Sequence, residues 1–219
     1  MKEHPIMMSA PMILADLAGR KTQTRRLMKS QPPEGEIGVG WYHPIVTNKY
    51  GEMEPGPLQF GAWSDDWGLR CPYGGLGDSI WVRETLVLDN KWRYHADISP
   101  VVFPEPGLRI KPNGGIVCPS IHMPRWASRI SHVLTDVRCE RLGDISEADA
   151  VAEGIFWTDH DLDRYGQKRR GWIWKPTTSD SECLPCARTA YANLWDSIHG
   201  HGAWERDRCK WVWVLSWAK

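Results

Sequence analysis

Three stretches of the chain carry the side-chain pattern of β-strands. Residues Ser79 to Thr85 follow a glycine-rich turn and are rich in β-branched and aromatic side chains. Between Ser131 and Glu140 the side chains alternate with a period of two, which is typical of a half-buried strand. The run from Trp211 to Trp217 is apolar at every position except Ser216, and it predicts a buried strand.

Two short helices are predicted from their end signals. Ser9 precedes an early proline and an apolar set that ends at Gly19, which indicates an N-cap and a glycine stop. Ser146 has an acidic residue three positions later, which predicts a second N-cap, and the apolar residues that follow end at Gly154. We therefore expect Glu153 at the C-terminal end of this helix.

The longest predicted helix runs from Ala187 to Ile198, where apolar residues recur at amphipathic spacing before Gly200. Two other stretches, about 30–70 and 156–186, have no sustained period, and we expect irregular insertions there. Strands scattered among short helices, with no strand–helix–strand rhythm, favour the α+β class with a mixed or closed sheet. We expect one domain over residues 1–219.

Composition changes this picture little. Lys plus Arg and Asp plus Glu both total 27, so the whole-chain charge gives no argument for a polyanionic partner. No run of 18 apolar residues occurs, and Met1 to Ala10 lacks the apolar stretch of an export signal. We therefore expect no membrane partner, a cytoplasmic protein, and reduced thiols at the six cysteines.

Cys183 and Cys186 have the spacing of half a zinc site. A structural zinc site needs four ligands, and no second CxxC or HxxxH pair is present, although another Cys or His could complete the site in three dimensions. Reduced thiols within an insertion are the simpler interpretation of the pair. We assign neither a metal nor a cofactor.

The strongest local charge cluster directly follows the first predicted helix. Residues 20–26 are Arg-Lys-Thr-Gln-Thr-Arg-Arg, and no carboxylate occurs between Asp16 and Glu34. In a helical or turn conformation Lys21 and Thr24 would lie on one side, so that the amine could take the proton of the hydroxyl. Neighbouring arginines and partial burial would lower the lysine pKa. The cluster could equally be a phosphate-binding patch or a solvated basic turn.

A second candidate surface precedes the strand that begins at Ser131. Residues Ser120 to Arg129 include His122, Arg125 and Trp126, which could bind a base by stacking and a phosphate by charge. The equal alternative is that Trp126 packs in the core while the arginines pair with acidic residues.

The residues around Lys21 resemble the signature of the ASCH family, whose members share a PUA-like β-barrel. The resemblance touches both ends of the chain and most predicted core elements, but neither insertion. It implies a PUA-like barrel flanked by short helices, with two long insertions, similar to the longer members found in phages and prophages. The matching segments are Leu17 to Arg26, Gly77 to Glu84, Ser120 to Arg129, Ile145 to Gly154, Leu194 to Ile198 and Trp211 to Trp217.

Small ASCH proteins that this chain resembles hydrolyse N4-acetylcytidine with a Lys, a Thr three residues later and a helical Glu. The resemblance implies Lys21, Thr24 and Glu153 as the catalytic residues, with Glu84 as the competing carboxylate. Lys21 would deprotonate Thr24 for attack on the acetyl carbonyl, and Glu153 would help to protonate the departing amine. The residues assigned to substrate or RNA binding are Arg20, Arg25, Arg26, Arg83, Glu84, His122, Arg125, Trp126 and Arg129.

Two other functions fit the same resemblance. Other ASCH proteins look like RNA-binding proteins or ribonucleases, for which the basic cluster alone would suffice to hold phosphate. A phage assembly or host-interaction scaffold is the further alternative, because a fold does not fix a function. An enzyme requires Lys21, Thr24 and a carboxylate in one pocket, whereas a binding protein requires an open basic groove.

Overall fold

The computed structural model describes residues 1–160, 169–176 and 183–218 of the chain, and within them it has an α+β architecture, as the sequence predicts. The helices are α1 (Ala10–Leu17), α2 (Glu147–Ala152), α3 (Ala187–His199) and α4 (Ala203–Asp207). The strands in chain order are β1 (Glu3–Met7), β2 (Gln23–Leu27), β3 (Gly38–Tyr42), β4 (Ile45–Thr47), β5 (Met53–Pro55), β6 (Gln59–Ser64), β7 (Trp67–Arg70), β8 (Ser79–Arg83), β9 (Leu86–Leu88), β10 (Trp92–Tyr94), β11 (Val117–Cys118), β12 (Ser131–Arg141), β13 (Phe156–His160), β14 (Arg169–Ile173) and β15 (Trp211–Trp217).

The largest sheet has the strand order β1-β8-β12-β15-β2. Its three inner strands are the three that the sequence predicts, and all three carry fully buried apolar residues, among them Ile80, Leu134 and Leu215. Strand β1 pairs with β8 in parallel, and the other neighbours are antiparallel. The sheet is open in its strand pairing, with β1 and β2 at the edges. The Arg26 guanidinium spans these edges by donating to the Met7 carbonyl at 2.5 Å.

The helix predictions are confirmed for α1, α2 and α3. In α2 the Ser146 hydroxyl accepts a hydrogen bond from the Asp149 amide at 3.0 Å, which is the expected cap. Glu153 is the C-cap residue, as its position before Gly154 indicated. Ser9 occupies the N-cap position of α1, but its hydroxyl makes no capping hydrogen bond there.

The first insertion is not irregular, so the prediction for residues 30–70 is wrong. It contains the antiparallel sheet β3-β6-β7 and the separate hairpin β4–β5. Glycine weakens an isolated strand, which is why its frequency here suggested loops. Here Gly61 permits a close approach, because a Cβ at this position would lie 2.3 Å from the Leu69 carbonyl oxygen. These strands are stabilised by pairing with one another, and such cross-strand contacts leave little periodic signal in the sequence of any one strand.

The second insertion also contains regular structure, since β13 pairs with β14 in antiparallel register. The remainder of the predicted 156–186 segment is described only in part, because residues 161–168 and 177–182 lie outside the described residues, as does Lys219. Cys186 begins α3 as its N-cap residue.

Two hydrophobic clusters stabilise the fold. The larger one joins the five-stranded sheet to α1, α2 and α3, and the smaller one lies under β9, β10 and β11, around Leu86 and Tyr94. Among the described residues, no helix has the length and apolar character required to cross a bilayer.

Candidate functional site

Lys21 lies in the short connection between α1 and β2, which is fixed from both sides by backbone hydrogen bonds. The Lys21 amide donates to the Ala15 carbonyl at 3.2 Å, and the Thr22 amide donates to the Ala152 carbonyl of α2 at 2.8 Å. Thr22 in turn accepts from the Trp217 amide at the end of β15 at 3.0 Å. The connection therefore joins the sheet to the C-terminal end of α2.

The Lys21 side chain is only 1% exposed and its ammonium group has three acceptors. Its Nζ donates to Glu153 Oε2 at 2.7 Å, to the Glu153 carbonyl at 3.0 Å and to the Gln23 carbonyl at 2.7 Å. Each of the three ammonium protons thus has a partner. The carboxylate that the resemblance implied is therefore in contact with the implied lysine.

Burial lowers the pKa of Lys21, and the neighbouring Glu153 carboxylate opposes this effect without cancelling it. An ammonium group that loses its hydration is less stable than the neutral amine, so a buried lysine releases its proton more readily. A lowered pKa is the property that a lysine needs in order to act as a base near neutral pH.

Gly154 allows Glu153 and Lys21 to approach this closely. Its φ is +104°, and a Cβ there would lie 2.8 Å from the Ala15 Cβ and 3.5 Å from the Lys21 Cβ. Any larger residue would push the end of α2 away from the lysine. The glycine stop that predicted the helix end therefore also shapes the site.

Arg25 does not belong to an open phosphate-binding patch, because it is buried and surrounded by carboxylates. Its guanidinium contacts Glu140 at 2.5 Å, Asp149 at 3.2 Å and Glu153 Oε1 at 3.3 Å. The cation thus holds the second oxygen of Glu153 while Lys21 holds the first. Of the basic residues considered for a phosphate-binding patch or a solvated turn, Lys21 and Arg25 are buried, so neither alternative describes them.

A cavity of about 300 Å³ adjoins this ion-pair network, a volume at the lower end of the range for small-molecule sites. Thr24 lies in β2, opposite Leu215, and not in the helical or turn conformation that would bring it to the same side as Lys21. Thr24 and Glu153 both line the cavity, whereas Lys21 lies behind Glu153 and does not line it. Most of the remaining wall comes from the start of α1 and from α3, namely Met7, Met8, Ser9, Met12, Arg25, Arg26, Tyr191, Leu194, Trp195, Ile198 and His199.

Two polar atoms of the cavity wall, Ser9 Oγ and Arg26 Nε, are inaccessible to solvent and have no hydrogen-bond partner within the described part of the chain. Thr24 and Tyr191, which also line the cavity, bring hydroxyl groups to the site. Tyr191 is 3% exposed, and its burial together with the Glu153 carboxylate raises its pKa far above the ordinary value. The phenol therefore stays protonated and can donate a hydrogen bond.

Glu84, the competing carboxylate, is engaged at a different place. Both of its oxygens accept from Arg129, at 2.9 and 2.8 Å, and Arg129 also contacts Asp97 at 2.7 Å. Burial raises the pKa of Glu84, and Arg129 opposes the shift. The guanidinium of Arg129 lies 3.9 Å from the centre of the Tyr94 ring. Glu84 thus has its own cationic partner, and Glu153 is the carboxylate next to Lys21.

The remaining residues assigned to binding do not line the cavity. Arg125 makes two hydrogen bonds with Glu3, at 2.9 and 2.6 Å, and Trp126 packs beside Phe103 with 5.1 Å between ring centres. These contacts match the packing alternative for Ser120 to Arg129. The other three positions are half-buried or exposed. The guanidinium groups of Arg83 and Arg20 lie over the rings of Trp81 and Phe156, respectively. His122 forms a hydrogen bond with Asn113.

No motif or spacing in the sequence indicated Tyr191, Trp195 or Met12 as site residues. Tyr191 and Trp195 belong to the apolar stripe of α3, which indicated a core-facing helix. The same stripe also forms one wall of the cavity. An amphipathic pattern does not distinguish these two roles.

No group of three or more His, Cys, Asp or Glu side chains is arranged to hold a metal ion among residues 1–160, 169–176 and 183–218. The buried Lys21–Glu153 ion pair adjoins a cavity that Thr24 and Glu153 line. Comparison with protein-family models, with curated proteins and with solved structures finds no match for this chain.

Proposed function

We propose that the chain is a hydrolase of the ASCH type that cleaves the amide bond of an N-acylated base, either N4-acetylcytidine or a related modified nucleoside. One observation carries the proposal: Lys21 Nζ lies 2.7 Å from Glu153 Oε2 beside a cavity that Thr24 and Glu153 line. The site thus combines a buried amine, a carboxylate and a hydroxyl nucleophile. The proposal includes a cytoplasmic location and a PUA-like barrel. The Arg26 hydrogen bond between the two edge strands of the sheet supports the barrel.

The first step makes Thr24 a nucleophile. Transfer of one proton from Lys21 to Glu153 within their hydrogen bond gives a neutral amine and a carboxylic acid. The lowered pKa of the buried lysine favours this transfer. The neutral amine then takes the hydroxyl proton of Thr24 while the threonine oxygen bonds to the acyl carbon.

The second step expels the base. The developing oxyanion would be held by the Tyr191 hydroxyl and by the guanidinium of Arg26, two residues that line the cavity. The protonated Glu153 gives its proton to the departing amine of the base, and the carbon–nitrogen bond breaks. Water then attacks the acyl–Thr24 ester, which restores the hydroxyl group and releases the carboxylic acid.

The cavity walls support a flat ligand that is partly apolar. Met8, Met12 and Trp195 provide contact surface for a base, and the cavity volume suits a nucleoside better than a folded RNA. The alternative of RNA binding by a basic groove has weaker support, because Arg25, Arg125 and Arg129 are all paired with carboxylates. A scaffold without a pocket would not require this cavity.

The decisive experiment is incubation of the purified protein with N4-acetylcytidine, with cytidine release followed by chromatography. Wild type and Thr24→Ser should release cytidine, and Thr24→Ala should not. Thr22→Ala is the matched control, since Thr22 is a neighbouring threonine whose side chain does not line the cavity. An acid quench followed by mass spectrometry should find an acetyl group on the peptide that contains Thr24.

Failure of the wild type to release cytidine would reject this substrate. Release that persists in Thr24→Ala would reject the nucleophile instead. If there is no release, a salt-dependent titration with single-stranded RNA tests the alternative, because binding through phosphates weakens linearly on logarithmic axes as salt rises.

A further inference from the structure

A groove on the first insertion lies apart from the Lys21 site. It runs between the β4–β5 hairpin and the turn that joins β6 to β7, and it has a volume of about 660 Å³. Its lining includes aromatic, acidic and apolar side chains as well as one histidine: Tyr42, Trp63, Trp67, Asp65, Asp66, Ile45, Met53 and His43.

The aromatic pair is held in place by local structure. The Tyr42 and Trp63 rings stack with 5.1 Å between their centres and an interplanar angle of 27°. Gln59 donates to the Tyr42 hydroxyl at 2.8 Å. Two glycines make room for the rings, since a Cβ at Gly38 would lie 2.7 Å from Trp63 and one at Gly68 would lie 2.9 Å from the Tyr42 hydroxyl. The rings form a preorganised flat surface.

The charge around this surface is strongly negative, although the whole chain is neutral. Residues 30–70 contain six carboxylates, including Asp65 and Asp66, against two Lys or Arg residues, Lys49 and Arg70, and one histidine, His43, which lines the groove. Both aspartates are exposed, and neither forms an ion pair within the described residues. A cation is attracted both by carboxylates and by aromatic faces, whereas a nucleic acid would be repelled. The groove therefore favours a cationic ligand.

The apolar side chains indicate the kind of cation. Ile45 is 66% exposed and Met53 is 81% exposed, so each offers surface that a larger ligand would cover. We propose that the groove binds an arginine side chain of an extended segment from a partner polypeptide. The planar guanidinium stacks on Tyr42 and Trp63 and pairs with Asp65 and Asp66, and the segment covers Ile45 and Met53. This site does not depend on the amidase proposal.

The test uses two pentapeptides that differ only in charge. One has two arginines among glycines, and the other has citrulline, the neutral isostere, at the same positions. Because the chain has fourteen tryptophans, binding is followed through single indole N–H resonances in heteronuclear NMR rather than by total fluorescence. The Trp63 and Trp67 resonances are assigned from Trp→Phe variants, and Trp157, which is half-exposed outside the groove, is the internal reference.

Two double variants, each of which removes two carboxylates, distinguish the effect of the groove carboxylates from that of the other negative charges of the insertion. Asp65→Asn/Asp66→Asn removes the carboxylates of the groove, and Glu34→Gln/Glu36→Gln removes two exposed carboxylates of the same insertion that do not line it. We expect the first pair to weaken arginine-peptide binding about tenfold and the second to change it less than about twofold.

The expected result is a saturable shift at Trp63 and Trp67 with the arginine peptide, and none with the citrulline peptide. Equal shifts with both peptides would overturn the proposal, because the charge would then play no part. Equal losses in both double variants would overturn it as well, because the attraction would be that of a general acidic surface.

Discussion

Lys21 and Glu153 form an ion pair that is almost completely removed from solvent, although 132 positions separate them in the chain. Side-chain exposures are 1% and 3%, and the pair connects the loop after α1 to the end of α2. Two charges in such an environment are costly unless their contacts are well formed. The arrangement is therefore both a structural joint between two elements and the centre of the proposed chemistry.

Substitution of Lys21 by Met should destabilise the protein by about 3–5 kcal/mol, because Glu153 would keep its burial and lose its closest cation. The double variant Lys21→Met/Glu153→Gln should regain part of this loss, since neither buried charge remains. Urea unfolding of wild type, both single variants and the double variant gives the coupling free energy. A single-variant loss below about 1 kcal/mol would mean that the pair is not buried as described.

Tyr191→Phe should lower kcat for the proposed substrate by about 10²- to 10³-fold, the effect of removing one oxyanion donor. Stability should change by less than about 1 kcal/mol, because Tyr191 lines the cavity and the substitution keeps its buried ring.

Tyr94→Phe is the control, because it removes a buried hydroxyl that donates to the Ala127 carbonyl at 2.9 Å. This variant should lose about 1–3 kcal/mol in urea unfolding with no change in kcat. If instead Tyr191→Phe lost stability and kept its activity, the hydroxyl would be structural.

Asp207 should contribute to acid unfolding. It is fully buried, and hydrogen bonds from Arg206, Lys210 and Trp195 hold its pKa well below the usual 3.8, with Arg206 the largest cause. Because the folded-state pKa is the lower one, the stabilisation is complete above about pH 5 and declines as the pH falls through 3.8. Asp207→Asn should therefore be less stable than wild type at neutral pH, and the difference should shrink as pH falls. A difference that is constant from pH 7 to pH 3 would contradict this.

The sheet was predictable where burial is continuous. Strands β8, β12 and β15 lie inside the sheet, so their apolar or alternating patterns are strong, and the structure confirms them. The edge strands β1 and β2 were missed, because Pro5 and the polar run Gln23 to Arg26 resemble loop sequences. Edge strands tolerate such residues.

The site was predictable only in part. The spacing of Lys21 and Thr24 suggested a reactive pair, and the helix-end position of Glu153 followed from local signals. The burial of Arg25 could not be predicted, because its partners Glu140 and Asp149 are more than 110 positions away in the chain. Contacts of this kind depend on the tertiary fold and leave no periodic signal.

Gly154→Ala should impair both stability and the proposed activity, because the new Cβ would meet the Ala15 Cβ at 2.8 Å and force α2 away from Lys21. Gly19→Ala is the matched control: Gly19 also has a positive φ, +67°, but a Cβ there meets no atom within 4 Å. The control should lose only the backbone strain of about 1–2 kcal/mol, whereas Gly154→Ala should lose more. Urea unfolding measures both. Equal losses would show that α2 can adjust without displacing Glu153, and the close approach of Gly154 to Ala15 would then not be what positions the carboxylate.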